Sequence, residues 1–151
     1  MELITESIKV FRSTRFIIHN HDAYRAGHHQ DLRLKIAKNK WASFAIPKGL
    51  PLDPGKKVLS IRTHDHTDKE ALMVGIIPKG QYGAGKLTVF DEGSCIIDKF
   101  TPAHIKIALR GTYVVGVYHM ISTGVMNKKE FKNQQYMIFK SKEYLNLRSR
   151  R

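Results

Sequence analysis

A chain of 151 residues with 42% apolar side chains suits one domain with a genuine core. Lysine and arginine total 26 against 13 acids, a net charge of +13. That field argues against an enzyme of small neutral metabolites and for a polyanionic partner, nucleic acid first, ahead of an anionic membrane surface or plain solubility. The single cysteine, Cys95, excludes an intrachain disulfide and a cysteine-rich zinc site, and reads as a small buried hydrophobe.

The N-terminus, MELITESIKVF, carries acids early and lacks a long apolar stretch, so it does not read as a secretory signal. No run approaches the roughly 18 apolar residues of a membrane helix. The expectation is an intracellular, cytoplasmic or nucleoid-associated protein with no membrane partner. Residues 1–14 read as an arm, 15–142 as the folded domain and 143–151 as a basic tail.

Arg15–His19 reads as a strand, followed by a turn over Asn20 to Gly27. His29-Gln30-Asp31-Leu32-Arg33-Leu34 reads as the next strand, running to Ala37, with a hairpin tip at Lys38-Asn39 and a return strand over Lys40 to Ile46. Pro47-Lys48-Gly49 breaks that strand. Val58–His64 alternates again, Asp65–Glu70 is polar and Ala71–Ile77 is apolar. Strands are then predicted at Lys86–Asp91, Ser94–Asp98, Ile105–Arg110, Thr112–Met120 and Gln135–Lys140. Turns are predicted at Asp91-Glu92-Gly93 and Arg110-Gly111. Only Pro102–Ile107 or the tail over Lys140–Leu147 suits a short helix. Many short strands with glycine turns predict a single all-β domain, a sandwich or a barrel. Residues 127–133 read as a charged surface loop.

On a strand, side chains alternate between faces. His29, Asp31 and Arg33 therefore share one face, and Leu32, Leu34 and Ile36 the other. A histidine, a carboxylate and a guanidinium in that row place a metal ligand beside a phosphate clamp. Histidines also cluster as His19-x-His21 and His64-Asp65-His66. No such pair is specific alone, but three clusters in one small chain point to a site. Two imidazoles and a carboxylate suit Mn, Fe, Zn or Ni, with water completing the shell.

Gly80-Gln-Tyr-Gly-Ala-Gly85-Lys86-Leu87 falls one residue short of a phosphate-binding P-loop. Leu87 replaces the magnesium-binding hydroxyl, and the residues after it are strand-like, so a tight turn lining a cleft is the better reading. Lys48, held in a restricted loop, suits either a phosphate contact or solvent. Arg62 lies four residues before His66 and shares its face if the strand reaches that far. Trp41 and Phe44 read as core.

The chain resembles the 3′-phosphoesterase domain of bacterial ligase D, the end-joining DNA ligase, and its stand-alone archaeal relatives. The matching segments are His21-Asp22-Ala23, HHQDLRL at 28–34, FAIPKG at 44–49, LDPGKK at 52–57, THDH at 63–66 and GIIPKGQYGAG at 75–85. The resemblance implies a compact β-barrel with a metal site at one open side. It also implies a manganese-dependent hydrolase that trims 3′ ends in DNA repair, removing a 3′ phosphate and a terminal ribonucleotide. His21, Asp31 and His66 would then be the metal ligands, with His19 and His28 as alternatives to His21. His29 and Arg33 would contact the scissile phosphate, and Lys48 and Arg62 would add positive charge. The implied partners are DNA or DNA/RNA 3′ ends and a separately supplied ligase or polymerase.

This sequence departs from the family pattern at several points. His21 and His29 are more widely spaced than the corresponding pair. Lys35 stands where the family has an acid, Val58 where it often has an arginine, and Asp68, Lys69 and Glu70 stand where a tyrosine usually comes shortly after His66. The family's longer N-terminal arm, which supports ribonucleotide removal, is short or absent, so phosphate removal is the favoured activity. The rival expectations are a non-catalytic nucleic-acid-binding barrel, which would bind with steep salt dependence and no turnover, and a docking subunit of a ligase or polymerase complex.

Overall fold

The computed structural model describes residues 12–124 and 133–143. The first eleven residues of the expected arm, most of the charged loop and most of the basic tail lie outside them. Among the described residues, nine strands and one short helix follow in order: β1 (Arg12–Ala23), β2 (Gly27–Ala37), β3 (Lys40–Ile46), β4 (Lys57–Arg62), α1 (Asp68–Ala71), β5 (Gly75–Ile77), β6 (Gly85–Phe100), β7 (His104–Arg110), β8 (Val115–Ser122) and β9 (Gln135–Lys140). The strands run β1-β2-β3-β4-β9-β8-β7-β6, and β6 pairs back onto β1, closing an eight-stranded antiparallel barrel. Closure leaves those strands no free edges to aggregate. Short β5 lies along β6 at residues 85–87.

Alternation sorts each strand into an inner and an outer face. Phe16, Ile18, Leu32, Leu34, Ile36, Phe44 and Ile46 meet Ile105, Ile107, Tyr118, Met120, Tyr136 and Ile138 in one buried cluster that fills the barrel. Cys95 lies in the same cluster, fully buried, as its reading required. The opposite parity of β1–β3, with Ile17, His19, His21, His29, Asp31, Arg33 and Ser43, therefore faces outward. These residues are nonetheless buried, because residues 63–85 cross over that wall.

That covering segment is fastened at several points. His66 and Trp41 exchange two backbone hydrogen bonds of 2.8 Å. The Trp41 indole N–H donates to Asp68 Oδ1 at 2.7 Å. Ala71 packs with Ile17 and Trp41 in a small second cluster on the outer face. Trp41 is thus fully buried, but outside the barrel rather than within it.

Three local readings are corrected. Pro102–Ile107 does not form a helix. Thr101 and His104 close a tight turn, and β7 follows. The helix among the described residues is α1, set by a capping box in which Thr67 and Glu70 satisfy each other's backbone amides. The sequence Thr67-Asp-Lys-Glu70, polar throughout, carries that signature. Third, Asp91-Glu92-Gly93 is not a turn but the middle of the continuous strand β6. Ile18 pairs with Asp91 and His19 with Val89, so Phe90 is the extra residue of a bulge. A Cβ on Gly93 would collide with the Arg110 carbonyl, so the glycine serves close strand approach rather than a reversal.

Candidate active site

The outer-face row meets in space. Antiparallel pairing sets His19 opposite Asp31 and His21 opposite His29, so two strands place their polar residues side by side. His21 Nδ1 lies 3.0 Å from Asp31 Oδ2 and His29 Nε2 lies 3.2 Å from Asp31 Oδ1. Potential ligand atoms of His21, His29 and Asp31 all lie within 4.8 Å of one another. An Arg33 NH2 group donates to Asp31 Oδ2 at 3.4 Å, and the buried Arg33 Nε meets no partner among the described residues.

Backbone carbonyls orient both imidazoles. His21 Nε2 donates to the Gly83 carbonyl at 2.7 Å and His29 Nδ1 to the Gly27 carbonyl at 3.3 Å. Each ring is left with its other nitrogen turned to the carboxylate, the arrangement by which outer partners aim a ligating histidine. The glycine turn at 80–85 thus lines the cleft, as expected, and leads into a strand rather than a helix.

The electrostatics follow from burial and contact. Burial opposes the charge on Asp31, but hydrogen bonds from His21 and His29 and the Arg33 guanidinium outweigh it and hold the carboxyl well below its ordinary range. The hydrogen bond to Asp31 raises His29 above its usual value. His66 is lowered to about 4, first by burial and then by the Arg33 charge, so it is neutral near pH 7. His19, wholly buried, is also lowered to about 4 by burial and by Arg33. Neither of its ring nitrogens has a hydrogen-bond partner among the described residues.

The cleft holds about 880 Å³ between the outer wall and the covering segment. His21, His29, Asp31, Arg33 and His66 all line it. His66 stands outside the compact His21–His29–Asp31 group, and its buried Nδ1 lacks a partner among the described residues. Lys48 is exposed and does not line the cleft. Arg62 does not line it either. Strand β4 ends at Arg62, so strand parity does not carry through to His66. Arg62 pairs in register with the core residue Phe44, sits 5.4 Å from the Phe100 ring centroid, and donates to Asp65 at 3.0 Å. Of the two alternatives to His21, His28 is exposed and His19 is sealed beneath the group.

Two further cleft residues have no role assigned from the sequence. His64 stacks on His66 with ring centroids 4.4 Å apart, and Tyr82 meets His64 edge-on at 4.8 Å. The spacing His64-x-His66 and the tyrosine inside the glycine turn were the available signals.

The donor set suits a divalent ion. Adjacent ligands about 2.1 Å from a common ion stand about 3 Å apart, close to the His21–Asp31 and His29–Asp31 separations above. The unpartnered Nδ1 of His66 adds a neutral donor to the same cleft.

Fold and cleft together define a closed antiparallel barrel with a polar cleft on its outer wall, lined by histidines, an aspartate and an arginine. The family of the DNA Ligase D 3′-phosphoesterase domain matches residues 19–122, and the chain belongs to that family. It is 34% identical over 139 residues to the multifunctional non-homologous end joining protein LigD of Pseudomonas aeruginosa, spanning 85% of this chain and 15% of that protein. The namesake of Mycolicibacterium smegmatis is 35% identical over 126 residues, 76% of this chain and 16% of its own length. The corresponding DNA repair protein of Mycobacterium tuberculosis is 36% identical over 112 residues, 72% and 14%. The chain thus spans about a seventh of the curated relatives it matches.

Proposed function

We propose that the cleft hydrolyses phosphate esters at the 3′ end of a DNA strand, as a manganese-dependent end-processing activity in end joining. The observation that carries this reading is the convergence of His21, His29 and Asp31 beside Arg33 in one cleft.

His21, Asp31 and His66 would hold the ion. A ligating histidine must be neutral, and His66 is kept so by burial and by Arg33. When bound, the ion supplies Lewis acidity at the phosphoryl group. Arg33 holds phosphoryl oxygens through the donor it does not commit to Asp31. His29, raised by its contact with Asp31, is the residue suited to keep a proton and deliver it to the leaving 3′ oxygen. Water attacks phosphorus, the bond to the 3′ oxygen breaks, and a 3′ hydroxyl and inorganic phosphate result. Lys48, on the outer surface, belongs to the basic field that draws in the strand rather than to the reacting group. Arg62, inside the barrel and paired with Asp65, supports the loop that carries His66.

Removal of a terminal ribonucleotide is the same chemistry on a diester and extends this proposal. The test is phosphate release from a 3′-phosphate oligonucleotide with Mn²⁺ and with chelator. Release in manganese that stops on chelation is expected, and a 3′-ribonucleotide end run in parallel reports the second activity. No release with any divalent metal, together with salt-sensitive binding, would establish the non-catalytic barrel instead.

A further inference from the structure

Two tyrosines at the rim of the cleft are largely exposed. Tyr82 is 71% exposed and Tyr24 58% exposed, yet both line the same cavity as Asp31 and Arg33. Large aromatic rings left in water beside a polar cleft are not explained by the core, which is complete without them. Tyr82 also heads a row of rings. It meets His64 at 4.8 Å, and His64 stacks on His66 at 4.4 Å with planes 17° apart. The row leads from the rim to a histidine that lies within the electrostatic reach of Arg33.

The rim is held in place and positively charged. The Tyr24 amide donates to the Ala84 carbonyl at 3.0 Å and the Ala84 amide to the Gln81 carbonyl at 3.1 Å, tying the β1–β2 turn to the loop that carries Tyr82. The Gly83 carbonyl in the same loop accepts from His21, so the position of Tyr82 is coupled to the site floor. Lys79 Nζ stands 5.1 Å from the Tyr24 ring centroid, and Arg25 lines the cavity beside it. A flat ring, an adjacent cation and a phosphate clamp one step deeper match the parts of a nucleotide: base, backbone phosphate and reacting phosphate.

We propose that Tyr82 is a stacking platform for the nucleobase of the terminal nucleotide, the one whose 3′ phosphate lies at Arg33. This rests on the 3′-phosphoesterase reading and adds to it a subsite that reads the presence of a base without reading its identity, since every base offers a π-face. The site therefore discriminates an intact terminal nucleotide from an abasic residue carrying the same phosphate.

The experiment compares kcat/KM on two oligonucleotides that both end in a 3′ phosphate, one with a terminal base and one abasic at that residue. The proteins are the unaltered chain, Tyr82→Phe and Tyr82→Leu. The unaltered chain is expected to prefer the base by roughly five- to a hundred-fold. Tyr82→Phe should keep that preference, and Tyr82→Leu should reduce it to about twofold or less. A merely structural Tyr82 would slow both substrates alike in Tyr82→Leu and leave the ratio intact, which overturns the proposal, as does an unaltered chain with no preference. If the unaltered chain releases phosphate from neither substrate, it is the hydrolytic reading that fails. Stacking is then decided by fluorescence of 2-aminopurine placed at the 3′-terminal position. Quenching on binding that survives Tyr82→Phe and disappears in Tyr82→Leu supports the subsite, and quenching absent or indifferent to Tyr82 overturns it.

Discussion

Two of the histidine groups on the outer side of the barrel differ in one respect that separates chemistry from packing. At His21 and His29 a carboxylate lies between the rings, and each imidazole points a nitrogen at Asp31. On the β7–β8 wall, His104 Nε2 and His119 Nδ1 face each other directly at 2.8 Å, and His119 stacks on Phe139. The acids near that second pair are already engaged, since Lys106 pairs with both Asp98 and Glu143. Burial first, and then neighbouring lysines, lower both of those histidines and keep them neutral. They satisfy each other. The first group cannot, because Asp31 holds both rings toward itself beside an arginine with a donor to spare. A pair of histidines is therefore not a site by itself. What makes one is an acid that no lysine has claimed.

That contrast can be broken most severely at the acid. Asp31→Asn should reduce kcat for 3′-phosphate release by about a thousandfold or more, roughly 4 kcal/mol of transition-state stabilisation, measured by released phosphate at saturating manganese. Next in size is the guanidinium. Arg33→Lys keeps the charge but loses the planar fork, and about a hundredfold loss in kcat/KM is expected.

A second buried acid sharpens the comparison from the side of stability. Asp91 accepts hydrogen bonds from the backbone amides of Glu92, Thr112, Tyr113 and Val114, at 2.7–2.9 Å, so its carboxylate builds a loop instead of serving a ligand. Burial pushes its carboxyl up, but these amides outweigh that and hold it below its ordinary value. Its contribution is therefore full above the unfolded value near pH 4 and is lost as pH falls through the lower folded value. Asp91→Asn should cost about 1–3 kcal/mol at pH 7, and the gap in melting temperature between the two proteins should narrow below about pH 4. A gap that widens on acidification would contradict the assignment. The smallest effect belongs to the second histidine pair. The double variant His104→Gln/His119→Gln should leave phosphate release within about twofold, since neither ring lines the cleft.

Much of this was legible because strand parity is strict. The row His29, Asp31, Arg33 was readable as one face, and the hairpin at Lys38-Asn39 and the strands over 40–46 and 135–140 fall where alternation puts them. The all-β class followed from strand spacing, and closure into a barrel from the family resemblance. Parity failed where the strand stopped. Arg62 was carried onto the face of His66 across a break that only the tertiary fold reveals, and it points into the barrel instead. The turn at 91–93 was misread because aspartate and glycine also serve bulges and close strand contacts. Nor could sequence show that the polar face would be roofed. That depends on residues 63–85 folding over the outer wall, fastened by Trp41, so the site lies on the side of the barrel rather than at an open end.

The central claim is that Asp31 makes a metal site of the histidine group around it. Equilibrium dialysis of Mn²⁺ against three proteins measures this without reference to activity. The account predicts that the unaltered chain and the His104→Gln/His119→Gln variant bind manganese with equal affinity, and that Asp31→Asn loses at least about tenfold. Undiminished binding by Asp31→Asn, or binding lost in the His104/His119 variant, would contradict it.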